Sequence, residues 1–115
     1  MNLDQLLDKL NTEPSTIDFN DVMQVIDTNY NYTPANFKNG DVNNLAGTNE
    51  GSCKIFSFAQ LHKLNESQTL ACFGDYYRTD VLLNIDGSDH GNIRNFIKTG
   101  WNGIHFDSKV LTTAN

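Results

Sequence analysis

Apolar side chains recur along most of this chain with the 3.6-residue period of an α-helix, and that recurrence constrains the fold more tightly than any single motif. Leu3, Leu6, Leu7 and Leu10 fall at i, i+3, i+4 and i+7, one stripe of a short amphipathic helix that must end before Pro14. Ser15 followed by Asp18 forms an acidic variant of a capping box, and Phe19, Val22, Val25 and Ile26 stripe a second helix to about Thr28. Cys53 to His62 is apolar all round and predicts a central, buried helix. Asn65 with Gln68 is a further capping pair, and Leu70, Phe73 and Tyr77 carry a fourth helix to about Leu83, with Gly74 marking a close crossing. Ile85-Asp86-Gly87 is a turn. Ser88 is then expected to cap a fifth helix striped by Ile93, Phe96 and Ile97, with Gly100 at its left-handed C-terminal cap.

Between the second and third helices the pattern breaks. Asn29 to Asn49 is rich in Asn and Gly; Tyr30 and Tyr32 alternate with polar residues like a brief strand, as Ile104-His105-Phe106 does later. Thr33-Pro34 resembles a cap with Pro at the first helical position, and Asn39-Gly40 would close that turn of helix. The expected architecture is therefore mainly α, or α+β: one compact domain over residues 1–115, with about five helices, a long Asn/Gly-rich loop and room for one small two-stranded β element. Leu, Ile, Val and Phe make up about 26% of the chain, above the roughly 20% below which a chain stays disordered.

Charge excludes some functions. Residues 1–50 hold eight acids against Lys9 and Lys38, so the whole net charge of −6 lies there, while residues 51–115 balance. Neither half has the basic stripe that neutralising phosphates requires, which argues against nucleic acid and anionic membranes and toward a protein partner with a basic surface. No apolar run reaches the 18 or more residues of a membrane span, and the first residues carry acids where a secretory signal has bases. Ten of the 16 Asn precede residue 51, where they are expected to build loops rather than a recognition surface.

Cys53 follows Gly51-Ser52 at the start of the central helix, where unpaired amides favour a thiolate, with His62, His90 and His105 as bases to consider. Nine residues of helix separate Cys53 from His62 by about 13 Å, so that pair cannot touch, and a buried structural thiol is the better reading. Cys53 and Cys72 match no CxxC or Cys/His zinc pattern and are expected to be reduced. The run Asn84 to His90 offers oxygen ligands, but its spacing departs from a calcium loop, and a turn feeding a helix cap accounts for it; no metal and no cofactor are expected. Gly40, Gly47 and Gly51 match no phosphate-binding motif. Tyr76, Tyr77, Trp101 and Phe106 near Arg78 and Arg94 offer a ligand platform, although such aromatics at helical spacing usually pack in a core.

Several segments together resemble the HopJ type III effector family. They are Asn39-Gly40-Asp41 with Asn43-Asn44 and Ala46-Gly47, then Asn49-Glu50-Gly51-Ser52-Cys53-Lys54-Ile55-Phe56 and Phe58-Ala59-Gln60-Leu61-His62. Phe73-Gly74-Asp75-Tyr76-Tyr77-Arg78, Asp86-Gly87 with Asp89-His90, Asn92-Ile93-Arg94 and Gly100-Trp101 with Gly103 extend the likeness over about residues 18–108. The resemblance implies a small, mostly helical bacterial protein whose family takes its name from proteins delivered by type III secretion into host cells, without catalytic residues to carry over. Its positions of likeness include Asn39, Gly40, Ser52, Cys53, Lys54, His62, Tyr76, Arg78, His90, Arg94 and Trp101, a candidate functional cluster. The expected function is that of a protein-interaction module without established catalytic activity, in the bacterial cytoplasm or secreted from it by a type III system. The alternatives are a cytosolic housekeeping protein, and a small ligand-binding or enzymatic protein using the Asn39–Cys53 loop with Cys53, His90 or Arg94 converging on it.

Overall fold

The computed structural model describes residues 1–114. Its first helix, α1 (Leu3–Thr12), begins with a capping box in which the Asn2 side chain accepts from the Gln5 amide and Gln5 returns the bond. It ends ahead of Pro14, which opens a 3₁₀ turn at Pro14–Thr16. This turn takes the place of the expected Ser15 cap: Asp18 stands before α2 (Phe19–Asn29) without a capping bond from its side chain. The stripes behave as their period requires, since Leu6, Leu10, Val22, Val25 and Ile26 are all buried.

The irregular segment holds more β structure than its sequence predicts. Strand β1 (Tyr30–Tyr32) pairs antiparallel with β5 (Leu111–Thr113), Tyr32 opposite Leu111. Strand β2 (Phe37–Asn39) sits between β3 (Val42–Asn44) and β4 (Ile104–Phe106), antiparallel to both. Asn39-Gly40 closes no helical turn. It enters a two-residue hairpin loop with Gly at the first central position, φ +57°, the conformation that tight hairpins demand and side chains resist. The result is an α+β domain with two small antiparallel sheets.

Helix α3 (Glu50–Leu61) is the central element. Phe56 on it lies 5.0–6.3 Å, centroid to centroid, from the rings of Phe37, Phe73, Phe96 and Trp101, which arrive from four other parts of the chain. One fully buried Phe contributes roughly 1.5–3 kcal/mol of transfer free energy, so this aromatic knot is where the layers are joined.

The fourth predicted helix is divided. After the predicted Asn65–Gln68 capping box, α4 (Glu66–Ala71) stops short of Gly74, whose φ is +60°. A Cβ there would stand 2.8 Å from the Phe19 backbone nitrogen, so the close crossing predicted at Gly74 is real, and it breaks the helix rather than merely weakening it. A π-helical segment, Tyr76–Val81, resumes the path and ends in a 3₁₀ turn at Leu82–Asn84. Helix α5 (Gly91–Thr99) starts later than Ser88 suggests, with His90 at the cap position, and ends at Gly100 with φ +58°.

Candidate functional site

The starts of α3 and α5 face one cleft of about 320 Å³. Asn49 caps α3 and His90 caps α5, both in the left-handed region at φ 49° and 50°, a conformation that Asn and His tolerate better than most residues. Neither side chain caps its own helix, because both are engaged elsewhere. Asn49 Nδ2 donates to Asn44 Oδ1 at 2.7 Å. His90 Nε2 lies 3.0 Å from an Asp80 carboxylate oxygen, and its ring leans on Tyr76 at 5.2 Å. Gly51, Ser52 and Gly91 line the polar wall, and Phe19, Phe73 and Ile93 the apolar one. The arrangement offers first-turn amides, a hydroxyl and an imidazole to an oxygen-bearing group.

Behind this cleft lies a buried network of amides. Asn39 Nδ2 donates to the Asn92 carbonyl at 2.7 Å and to Asn92 Oδ1 at 3.1 Å. Asn44 and Asn92 exchange a pair of bonds, Nδ2 to Oδ1 in each direction, at 3.1 and 2.9 Å. The β2–β3 hairpin is thereby tied to the starts of both helices. Asn95 adds a bond from its Nδ2 to the Asn39 carbonyl and packs under Gly40, where a Cβ would collide with it.

Of the candidate cluster, the structure brings Ser52, Tyr76 and His90 into this cleft, with Asn39 and Gly40 joined to its rear wall through Asn92 and Asn95. The other candidates lie elsewhere. Cys53 is buried, and desolvation pushes its thiol above the ordinary value, opposite to what a nucleophile needs. Cys72 is likewise buried, its thiol pushed up to about 12. Lys54 pairs with Asp27 at 2.8 Å and sits 4.9 Å above the Tyr32 ring. His62 Nε2 is hydrogen-bonded to the Tyr30 hydroxyl at 2.5 Å, and burial holds its pKa below the usual range. Arg78 donates to the Ile17 carbonyl at 2.5 Å, and Trp101 Nε1 to the Leu64 carbonyl at 3.2 Å. Cys53, His90 and Arg94 therefore do not converge.

Arg94 has a different task. Its guanidinium donates to the carbonyls of Asp89, Asn84 and Ile85 at 2.6, 2.8 and 3.2 Å, and to the Asp89 carboxylate at 2.6 Å. That last bond holds the Asp89 carboxyl below the ordinary range. With a further bond to the Asp80 carbonyl at 3.4 Å, four carbonyls and one carboxylate fastened by one side chain make residues 80–89 a fixed segment, and on it Leu82, Leu83 and Ile85 are 45%, 74% and 64% exposed. Among the described residues no group of three or more His, Cys, Asp or Glu side chains is placed to hold a metal ion, and no helix is long and apolar enough to cross a membrane.

Asn49 and Asn92 lie in segments of the family likeness, but their roles and that of Asp80 escape a reading of the sequence, because they depend on partners 5 to 53 residues away. One signal was present: both helices start with a residue tolerant of left-handed backbone placed one or two positions before a glycine, Asn49 before Gly51 and His90 before Gly91.

Fold and cleft define a small α+β domain with one cleft at two helix starts and one clamped apolar turn beside it. The model of the HopJ type III effector protein family matches residues 3–111, and the chain belongs to that family. A solved structure, described as a crystal structure of a protein of unknown function, is similar at 52% identity and a TM-score of 0.96, covering 98% of this chain and 94% of that one. No curated protein matches.

Proposed function

We propose that this HopJ-family protein is a non-catalytic interaction module whose docking surface is the clamped turn at residues 82–89, and that its partner presents a basic, partly apolar protein surface. The observation that supports this is the contrast at that turn. Leu82, Leu83 and Ile85 stand out in solvent, while Arg94 fixes the carbonyls of Asp80, Asn84, Ile85 and Asp89 along the segment that carries them. A turn held rigid before binding loses little conformational entropy on docking. Covering each of these side chains is worth about 1.5–3 kcal/mol.

The surroundings name the sign of the partner. Of the acids along residues 75–89, Asp75 and Asp89 pair with Arg78 and Arg94 and Asp80 faces His90, while Asp86 has no ion-pair partner among the described residues. Helix α1 adds Asp4 and Asp8, and Asp18 stands before α2, all exposed. Such a field steers a basic partner toward the apolar contact and repels an acidic one. The cleft opens beside the turn through His90 and Tyr76, where its uncapped amides offer donors to carbonyl groups of the same partner. The family points to two places to find that partner: the bacterial cytoplasm, and a host cell reached through type III secretion.

The test compares baits rather than counting captured proteins. A true partner is retained by the wild type and by Leu45→Glu, which alters an exposed leucine elsewhere, and its yield falls as salt rises. It is lost with Leu83→Glu and weakened with Asp86→Asn. A protein held equally by all four baits, or retention that ignores salt, refutes the proposal.

A further inference from the structure

The end of α3 is tied to the start of β1 by a half-buried polar contact. His62 closes α3, and its ring packs 4.6 Å from Phe58 and 6.1 Å from Tyr30, centroid to centroid. Its Nε2 is hydrogen-bonded to the Tyr30 hydroxyl at 2.5 Å. Tyr30 follows α2 with no intervening loop and is the first residue of β1. Among the described residues that strand has a single neighbour, β5, so the ribbon consists of two three-residue strands. A ribbon of this size is marginal by itself and depends on what it rests against. Leu111, opposite Tyr32, anchors one end in the core, and the Tyr30–His62 contact ties the other.

The charges around the ring give this contact a direction. From β1 it meets the Tyr30 hydroxyl, whose pKa burial raises. From α3 it meets Phe58, and the next residue along the chain is a cation, Lys63. Among the described residues no carboxylate lies within ion-pair distance of His62, whereas His90 has Asp80 at 3.0 Å. Burial is what lowers the His62 pKa. The hydrogen bond does not set the sign, since a protonated ring can donate to the hydroxyl oxygen. The missing anion does. A proton on His62 adds a charge at a desolvated place without a counter-charge, and the ring reaches water by swinging outward.

We propose that His62 is an acid-sensitive clasp: on taking up a proton it leaves its place against Tyr30 and Phe58, and the β1–β5 ribbon opens locally while the three-stranded sheet and the helices stay folded. The clasp holds above about pH 6.5, the ordinary histidine value, and loosens as pH falls through the lowered value of the closed form. It is separate from the docking turn, and no partner is needed to observe it.

Hydrogen exchange of the full chain, followed by nuclear magnetic resonance at about pH 7 and about pH 5 and divided by the intrinsic rate at each pH, reads the opening residue by residue. The reporters are Thr33, whose amide donates to the Val110 carbonyl at 2.8 Å, and Ala114, whose amide donates to the Asn29 carbonyl at 3.1 Å, one at each end of the ribbon. Gly40, whose amide donates to the Gly103 carbonyl at 2.9 Å, is the control beside the other sheet. Protection at Thr33 and Ala114 should fall severalfold on acidification, by no more than about tenfold per pH unit for one proton, while Gly40 holds. His62→Gln and His62→Phe should each remove that fall. Tyr30→Phe, which keeps the ring and loses the bond, should lower protection of the ribbon at both pH values. Unchanged protection of the wild-type ribbon overturns the proposal, as does an equal loss at Gly40, which would mark global unfolding. An acid-dependent loss that survives in the His62 variants also overturns it. The comparison of Thr33 and Ala114 with Gly40 in the wild type requires no variant and decides by itself whether the opening is local.

Discussion

Truncating Asn44 tests whether the buried amides hold the cleft together. Asn44 is 2% exposed; its Oδ1 accepts from Asn92 Nδ2 at 2.9 Å and from Asn49 Nδ2 at 2.7 Å, and its Nδ2 donates to Asn92 Oδ1 at 3.1 Å. In Asn44→Ala the Asn92 oxygen keeps its bond from Asn39, but Asn92 Nδ2 is left buried with no acceptor. An orphaned donor of this kind costs about 1–3 kcal/mol. The exposed Asn49 can turn its amide to water and adds less, and the small void adds roughly 1 kcal/mol. The sum, about 2–4 kcal/mol, is a large share of the 5–15 kcal/mol that holds an ordinary domain. It corresponds to a fall in Tm of roughly 8–16 °C for a chain of this length. Thermal and urea unfolding followed by circular dichroism would measure it, with the exposed neighbour Asn43→Ala as a control expected to stay within about 0.5 kcal/mol. Asn44→Asp keeps the volume but sets an oxygen against Asn92 Oδ1, so it should be worse than alanine at neutral pH and recover partly on acidification, when a protonated acid can donate. A loss below about 1 kcal/mol in Asn44→Ala would show that the network is decoration on a fold held by its apolar core.

Two other perturbations have signs set by the structure. Gly74→Ala places a Cβ 2.8 Å from the backbone nitrogen of Phe19 at a left-handed φ, where nothing flexible can yield; it should lose at least about 2 kcal/mol in urea unfolding, whereas Gly91→Ala, with open space around it, should be neutral. Equal stability of the two variants would contradict the close crossing. Burial disfavours the charged form of His62, so its folded pKa lies below the unfolded value near 6.5. Its contribution is intact above about pH 6.5 and is lost as pH falls through the depressed folded pKa, because the unfolded chain takes up the proton first. His62→Gln should flatten that part of the stability profile, and an unchanged slope between about pH 6.5 and 5 would exclude His62 as its source.

The helices were legible because burying one stripe per helix is a local demand, met by Leu6 and Leu10 or by Val22, Val25 and Ile26 whatever lies opposite. Caps at Asn65 and Gly100 were legible for the same reason. The division of the fourth helix was half legible. Gly74 announced a crossing, but only the position of the Phe19 backbone decides that the helix must break there. Three-residue strands carry too little alternation to announce two sheets, and β2 is placed by Asn44 on one side and Phe106 on the other, both remote choices. Of the candidate site, Ser52, Tyr76 and His90 share a cleft because two helix starts meet, a fact that no spacing in the sequence encodes.

The asparagines show where composition misleads. Their excess before residue 51 reads as loop-building, and Asn36, exposed between β1 and β2, fits that description. Asn39, Asn44 and Asn92 do the reverse: each is less than a tenth exposed, and together they fill a space that another domain of this size would fill with Leu or Val. An apolar plug would bury as much area, but it could not bond the hairpin to both helix starts or free the Asn49 side chain from capping α3. The amide network therefore does two things at once. It supplies directional bonds that fix one register between β2, β3 and α5, and it leaves the first turns of α3 and α5 open to the cleft. The asparagines that made this stretch look loop-rich thus help to shape its cleft.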